Sequence, residues 1–568
     1  RTSRTSSSTD LKSPIPPRVS AYGRVRLHWA YIYFGVADDG WAVDVGVFHE
    51  GKLDGVEVHY IGDKVVTVLA GGWIKKGSAG EWGDEDTVRV GYRLGFPTEA
   101  YFSEVAGKIP SWNIYHRGDG CATGFMLSKN VKTENYQKIF PYGGPNQQVY
   151  NIVARAQCVF DWRDPSQSVD DDTTWKWSEN AILHLAHYLL VRMNRTWSLH
   201  FVPTLDYWTA AANDADVPMP LSAFQTVTTA DSSGGDHSIL VASTNGLVSG
   251  MSVTITANDG TDNINTINVN SVGGLRINLA SGLSHDYPLG SGVTWTATDE
   301  HPIYEPRYRS CVAHQHTDAH KDVLAHLIAC SDAYLTPRRD GSLVVYSGRY
   351  VPPTITIGPD EIISYTLQDY VAEEDAINTI KITYVSGNHG YYAVDTDDWT
   401  DEEDVEARGK VLSDTLENQV PTHSQARRLA KRAMVKINAP YRGNCTLNAA
   451  GRSIIGERYI TLQLIEAGAI LFEGPVEISK TTRILKTGGV SFDWLQADPN
   501  IDAWEPATEE GNPAPIGTNV PLQPIDAPVI TNAVADYSAV SDDGTGVRVD
   551  ITVTGINRDD VIWFARWR

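Results

Sequence analysis

Between residues 149 and 177 the chain changes character several times in quick succession. An apolar run from Val149 to Phe160 meets the turn Asp161-Trp162-Arg163-Asp164-Pro165, where a proline can continue neither a central ladder nor a helix. An acidic loop with Asp170, Asp171 and Asp172 follows, then Trp175 and Trp177. Ser178 stands before an apolar-periodic stretch, which predicts a helix over 179–194 with the serine hydroxyl accepting an orphan N–H of the first turn. Ile182, Leu185, Leu189 and Met193 recur at three- and four-residue spacing and make one apolar face. The fold class expected is mainly β with a few helices (α+β), divided into several domains.

The rest of the chain fits that class. Residues 20–165 are short Val-, Tyr- and Trp-rich segments punctuated by Gly and Asp, the pattern of antiparallel strands. Val56, Val58 and Tyr60 alternate, as on a half-buried strand. A short helical piece is expected near 207–213. Residues 226–298 carry one basic residue, Arg276, among many Thr, Ser, Asn and Gly, and read as a small all-β module inserted into the main fold. A second helix is expected over 318–331 with Thr317 as its cap. A hairpin over 341–350 and a strand near 378–385 come next. A third helix should follow Pro421, opened by the capping pattern Thr422-x-x-Gln425. Two β stretches, 444–471 and 478–494, close this part. The division expected is a linker over 1–20, a β-rich region over 21–225, the module over 226–298, a second α+β region over 299–500, a Pro-rich linker over 501–527 and a sandwich domain from 528. Three strands of an immunoglobulin- or fibronectin-type sandwich, which needs about seven, are visible by Arg568, so the natural chain is expected to continue past it, and to begin before residue 1.

With 568 residues, 42% hydrophobic and 21% charged, the chain is long enough for about three to five domains. No run approaches the roughly eighteen apolar residues of a membrane-spanning helix. The net charge of −23 disfavours specific nucleic-acid binding and anionic membranes; it fits either the wall of a channel that DNA passes without sticking or simply a solubilising surface. Cys121, Cys158, Cys311, Cys330 and Cys445 are odd in number, widely spaced and free of any Cys-x-x-Cys pair, which reads as buried thiols of a chain folded in a reducing cytoplasm.

Several pieces, in order, resemble the tail hub and tip-attachment proteins of long-tailed bacteriophages and gene transfer agents. They are Tyr22-Gly23-Arg24-Val25-Arg26, Gly51-Lys52-Leu53-Asp54-Gly55-Val56, Tyr92-Arg93-Leu94-Gly95-Phe96-Pro97-Thr98, Ala156 to Arg163, Trp177-Ser178-Glu179-Asn180, Glu305-Pro306-Arg307-Tyr308, and Arg338-Arg339-Asp340-Gly341. The similarity covers about 20–225 and 300–500 and departs from the family pattern at Gln157, for Gly, and Ala181, for Pro. It implies barrel-like β domains and a homotrimer below the tail tube, docked on a distal tail protein ring. The tape measure protein and other tail tip proteins would be neighbours, and the C-terminal sandwich would reach toward a host receptor or glycan. The resemblance implies no enzyme activity and no cofactor.

The chemistry-bearing clusters each have a plainer reading. His314, His316, His320 and His326 are the densest histidine group, but a metal site needs three or four converging ligands, and a solvated strand end plus helix face explains them. His184 and His187 read as core-edge histidines. Cys311 and Cys330 flank the second helix and read as two buried thiols, with a disulfide or an iron–sulfur ligand pair as the sharper alternative. Asp161, Asp164, Asp170, Asp171 and Asp172 lack calcium-loop spacing. The acidic run 395–406 reads as solvated. Arg427, Arg428, Lys431, Arg432 and Lys436 make a basic face on the third helix, either solvated or set against an acidic neighbouring subunit. The sixteen Trp and twenty-six Tyr leave a carbohydrate-binding adhesin or tail-associated glycan hydrolase as the alternative function, although no spacing selects a carboxylate pair.

Overall fold

The computed structural model describes residues 16–516, apart from 78, 79, 85, 143, 262, 373 and 374, together with the strands 529–540 and 547–554. It is mainly β, with helices set between and against small sheets.

The N-terminal part is two sheets over one core. β2 (Arg24–His28), β5 (Leu53–Ile61), β6 (Lys64–Val66), β9 (Tyr150–Val159) and β10 (Lys176–Trp177) form one sheet, with β9 pairing β2, β5 and β10. β3 (Ala30–Val36), β4 (Ala42–Glu50), β7 (Val88–Arg93) and β8 (Cys121–Ser128) form the other, in the order β3-β4-β8-β7. The chain passes between sheets at Trp29, which joins β2 to β3, and at Gly51–Lys52, which joins β4 to β5. Trp29, Phe48 and Tyr150 fill the space between, with ring centroids 5.5–5.7 Å apart. The expected barrel does not close among the described residues: β3 and β7 lie at opposite ends of their four-stranded sheet and do not pair with each other. β9 is buried along nearly its whole length because it is central, which is why it reads as a continuous apolar run.

β9 leads to a buried helix, Ala181–His187, whose side chains are all buried. Its cap is Asn180, not Ser178: the Asn180 side chain accepts from the N–H groups of Ile182 and Leu183 at 3.0 and 3.2 Å. Ser178 acts one step earlier, its hydroxyl accepting the Asn180 N–H. The helix continues as one π-turn, Tyr188–Arg192, short of residue 194. The next helix, Leu205–Asp216, extends beyond the expected piece at both ends and buries Trp208.

Residues 223–296 form a six-stranded antiparallel sheet with its own apolar core, including Val253, Ile255, Ile267, Ile277, Val293 and Trp295. Chain enters and leaves it through paired strands, Pro218–Leu221 against Ile303–Pro306, with Leu221 opposite Ile303. The second expected helix is His320–Ala329; Thr317 does not cap it, and Ala319 occupies the cap position without a side-chain bond. The third is His423–Ile437, with Thr422 accepting the Gln425 N–H as expected. Gln425 does not return the favour to the cap. It is wholly buried and donates instead to the carbonyls of Arg309 and Cys330. A second six-stranded sheet, between Thr356 and Gln496, holds a core of Cys445, Ile460, Ile478, Phe492 and Trp494.

The Pro-rich stretch expected to be a linker is packed against the body as far as it is described. Thr396 donates to the Asn512 carbonyl, His389 lies 2.9 Å from the Pro515 carbonyl, and Glu510 is buried, accepting from both N–H and hydroxyl of Ser222. Val529–Val540 and Val547–Thr554 pair as an antiparallel hairpin. The third sandwich strand expected, over residues 561–568, lies outside the described residues, as do most of the 1–20 linker and the end of the 501–527 linker.

Two motif glycines have a steric reason. Gly23 has φ +72°, and a Cβ there would lie 2.0 Å from the Ser310 carbonyl oxygen. Gly95 has φ +90°, and a Cβ would lie 2.6 Å from the Gly51 carbonyl oxygen. Gly23→Ala is therefore expected to destabilise this junction by about 2 kcal/mol or more, read as faster hydrogen exchange of the Ala156 amide, which bonds the Gly23 carbonyl. Unchanged exchange there would show that the backbone yields at no cost.

Candidate functional site

Three features stand out among the described residues: a buried ion network, a histidine–tyrosine junction, and an apolar stripe on a strand at the end of its sheet.

The basic face of the His423–Ile437 helix is neither solvated nor free for a neighbour. Arg427, Arg428 and Arg432 are buried, and the chain's own carboxylates meet them. Asp332, in left-handed backbone with φ +45°, accepts from Arg432 at 2.9 Å, Lys436 at 2.7 Å and Arg458 at 3.1 Å. Glu477 accepts from Lys436 at 3.0 Å and Arg458 at 2.8 Å, and Asp502 accepts from Arg432 at 2.5 Å. Arg458 is 1% exposed and also donates to the carbonyls of Asp332 and Ser347. Arg307 also lies 3.7 Å from Asp502, so four cations meet these three carboxylates. Nearby, buried Glu305 accepts from Arg309 at 2.5 Å and Arg428 at 3.0 Å. Lys431 pairs with Glu509, and Arg427 donates to the carbonyls of Asp397, Asp398 and Glu509. Asp332 is half-buried, and the surrounding cations hold its carboxyl well below the ordinary carboxylate range.

The second feature gathers histidines the sequence separates. Tyr22 stacks on His184 at 5.1 Å and on His314 at 5.9 Å, and its hydroxyl lies 2.9 Å from His187 Nδ1. Tyr188 meets His314 at 5.3 Å, and its hydroxyl lies 2.8 Å from His320 Nδ1. His184 sits 2.6 Å from the Ser310 hydroxyl and 2.8 Å from the Ser178 carbonyl. His316 reaches Glu50 at 2.5 Å and the Ser20 hydroxyl at 2.8 Å. His49 on β4 joins from the N-terminal sheet. Burial lowers the imidazole pKa of His49, His184 and His314 to about 4 and that of His187 to about 3. A histidine kept neutral in this way adds stability that is complete above its unfolded value near 6.5. That stability is lost as pH falls from there toward the folded value. No three of the described His, Cys, Asp and Glu converge as metal ligands would. His326 is not part of this group; its carbonyl accepts the Cys330 thiol.

The remaining sequence candidates have structural partners. Cys311 and Cys330 are free, buried thiols; burial pushes Cys330 up to about 12 and Cys311 well above its ordinary value. Asp161 accepts from Arg163, Asp164 from Ser166 and Lys176, and Asp171 from Thr173, so these carboxylates close turns. In the acidic run, Asp401 caps the helix Glu402–Arg408 and Asp397 accepts from Asn512.

The third feature was not read from the sequence. Along β3, Ile32, Phe34 and Val36 are 52%, 56% and 65% exposed. They stand at every second position, on one face of a strand that ends its sheet. An apolar stripe this exposed, on a strand at the end of its sheet, is a surface that another chain can cover. Two clefts open on the surface of the described residues. One of about 280 Å³ is lined by Arg89, Tyr92, Arg93 and Glu104; the other, of about 560 Å³, by Trp399, Asp401, Lys431, Asn438, Gln496 and Asp498.

Removing the charge of Arg458 leaves Asp332 and Glu477 with fewer cations in a buried site. Arg458→Met is expected to cost about 3–5 kcal/mol. The measurement is the opening free energy from hydrogen exchange of the Ile478 amide, which bonds the Arg458 carbonyl. A loss under about 1 kcal/mol would mean that water replaces the guanidinium.

No protein-family model matches the chain. No curated protein matches it. Among solved structures, it is similar to a chain of the virion of a native gene transfer agent particle, at 10% identity and TM-score 0.46, covering 87% of each chain. It is also similar to the 43 kDa tail protein of prophage MuSo2 from Shewanella oneidensis, at 11% identity and TM-score 0.23, over 49% of this chain and 99% of that one. A third is the prophage tail protein gp18 from Listeria monocytogenes EGD-e, at 10% identity and TM-score 0.18, over 48% of this chain and 87% of that one.

Proposed function

We propose that this chain is a structural protein of a phage-type tail, the hub or tip protein that closes the distal end of the tube. The observation that carries the reading is the apolar stripe of β3, where Ile32, Phe34 and Val36 are each more than half exposed on a strand at the end of its sheet. The order of the motifs that resemble tail hubs supports the same reading, and the motif glycines Gly23 and Gly95 sit where backbone passes too close for a side chain. In this role the chain forms a homotrimer and contacts the distal tail protein ring and the tape measure protein. The module over 226–298 and the C-terminal hairpin face outward toward the host surface. The acidic balance lets DNA pass without binding.

A glycan-binding role has one observation of its own. The 560 Å³ cleft has a Trp399 wall with Asp401, Asn438 and Asp498 beside it, the mix of aromatic face and polar groups that holds a sugar ring. Glycan-array binding that disappears in Trp399→Ala would support it; an array blank for the unaltered chain would remove it.

Imaging of tail-bearing particles is expected to show threefold density for this chain directly below the tube. Its presence on side fibres alone would overturn the hub reading. Changing Ile32, Phe34 and Val36 together to Ser is expected to abolish incorporation into tails, with the circular dichroism of the isolated chain unchanged. Normal incorporation of that variant would exclude the β3 edge as an assembly surface.

A further inference from the structure

The short strand β1 (Val19–Ala21) is clipped between distant parts of the chain. It pairs with Ala313–Gln315, extended by Tyr22 N–H to the Val312 carbonyl and His316 N–H to the Arg18 carbonyl. Its other tie is to β4, where the Ala21 N–H donates to His49 Nε2 at 3.0 Å. His49 Nδ1 lies 3.3 Å from the Gly51 carbonyl oxygen. A carbonyl can only accept, so Nδ1 carries the proton, and Nε2 must be the bare acceptor that the Ala21 N–H requires. The two bonds together fix one neutral tautomer. Adding a proton at Nε2 would set two donors against each other inside the protein, since His49 is fully buried.

The surroundings offer that proton little welcome. From the Ala313–Gln315 strand and the residue after it come His314, neither of whose ring nitrogens has a hydrogen-bond partner, and His316. From the Ala181–His187 helix comes His187. From β1 the near side chain is uncharged Ser20, and from β8 it is Cys121, whose thiol burial pushes up. The carboxylate at hand is Glu50, the neighbour of His49 on β4, and it is already engaged by Arg18 at 2.7 Å and His316 at 2.5 Å.

We propose that His49 is an acid-sensitive latch: neutral, it ties residues 18–22 to β4, and its protonation favours the opened state in which that segment, with the Tyr22 ring leaving His184, His187 and His314, parts from the body. The released state exposes the His49 ring, lets it titrate normally, and frees the Ala21 N–H for water. Arg18 and Glu50 then part from each other with the strand. Whatever precedes residue 18 in the chain loses its anchor to the two-sheet body in the same step.

The size of the effect follows from linkage. With a folded-state value of about 4 and an ordinary value near 6.5, the opening equilibrium should rise about 20-fold between pH 7 and pH 5 from His49 alone. The experiment is hydrogen exchange of the full chain at both pH values, corrected for intrinsic rates, read at the Ala21 and Tyr22 amides. The Ile478 amide, in the distant C-terminal sheet, serves as reference. Protection at Ala21 and Tyr22 is expected to fall about 20-fold or more while Ile478 stays protected. His49→Gln keeps the tie without a titrating group, since its carboxamide oxygen can accept from Ala21 and its NH2 can donate to Gly51. Its loss of protection is expected to be at least fivefold smaller than that of the unaltered chain. Equal losses in both proteins, or a parallel loss at Ile478, would overturn the latch. If His49→Gln does not fold, nitrogen-15 shifts of the histidines in the unaltered chain decide. A neutral Nδ1–H ring that stays neutral below pH 5.5 supports the latch; an Nε2–H ring, or titration near 6.5 with Ala21 still protected, overturns it.

Discussion

Arg307, Arg432, Lys436 and Arg458 meet Asp332, Glu477 and Asp502 where the His423–Ile437 helix, the turn at Asp332, the C-terminal sheet and the segment at Asp502 come together. Taking these charges out of water costs several kcal/mol per ion, and the cost is recovered only when geometry is good and every remaining donor and acceptor is used. Arg458 shows how tightly this is met: its guanidinium contacts two carboxylates and two carbonyls at once. Such a network adds little net stability over an apolar core of equal volume, but any other docking of these segments would leave a charge buried alone. It therefore specifies how the C-terminal sheet sits on the helical middle of the chain, and it draws the Asp502 segment onto the same spot.

The two remaining features divide the labour differently. The histidine–tyrosine junction joins the N-terminal sheets to the helical middle through neutral rings, so its bonds depend on which nitrogen carries a proton. The apolar stripe of β3 lies in the other N-terminal sheet, across a shared core from β9.

Local signals in the sequence were readable wherever a residue's job is done by its neighbours in the chain. The central strand showed as an apolar run, the Thr422 cap as a threonine three residues before its acceptor's partner, and the module as a shift in composition. Signals failed where the partner is remote. Ser178 and Asn180 are both good caps, and only the buried position of the latter, where its amide also reaches the Ala212 carbonyl, decides between them. The basic helix face read as solvated or as meeting an acidic neighbouring subunit because Asp332, Glu477 and Asp502 lie far off in sequence and each is unremarkable alone. Pro-rich composition suggested a free linker because nothing in it announces that Glu510 will meet Ser222, 288 residues away. His49 went unnoticed as a single histidine in a strand; what gives it a role is the Ala21 N–H above it.

The paired strands that carry the module have a consequence for how such chains diversify. Since Leu221 and Ile303 stand directly opposite each other, the chain leaves the body and re-enters it at nearly the same point. Everything between is topologically a decorated hairpin loop. The entropy of closing a loop grows only with the logarithm of its length, so the host fold is almost indifferent to what is strung between the two strands. Recombination could exchange that cassette for another of different size, sequence and specificity without disturbing a single bond of the ion network below it.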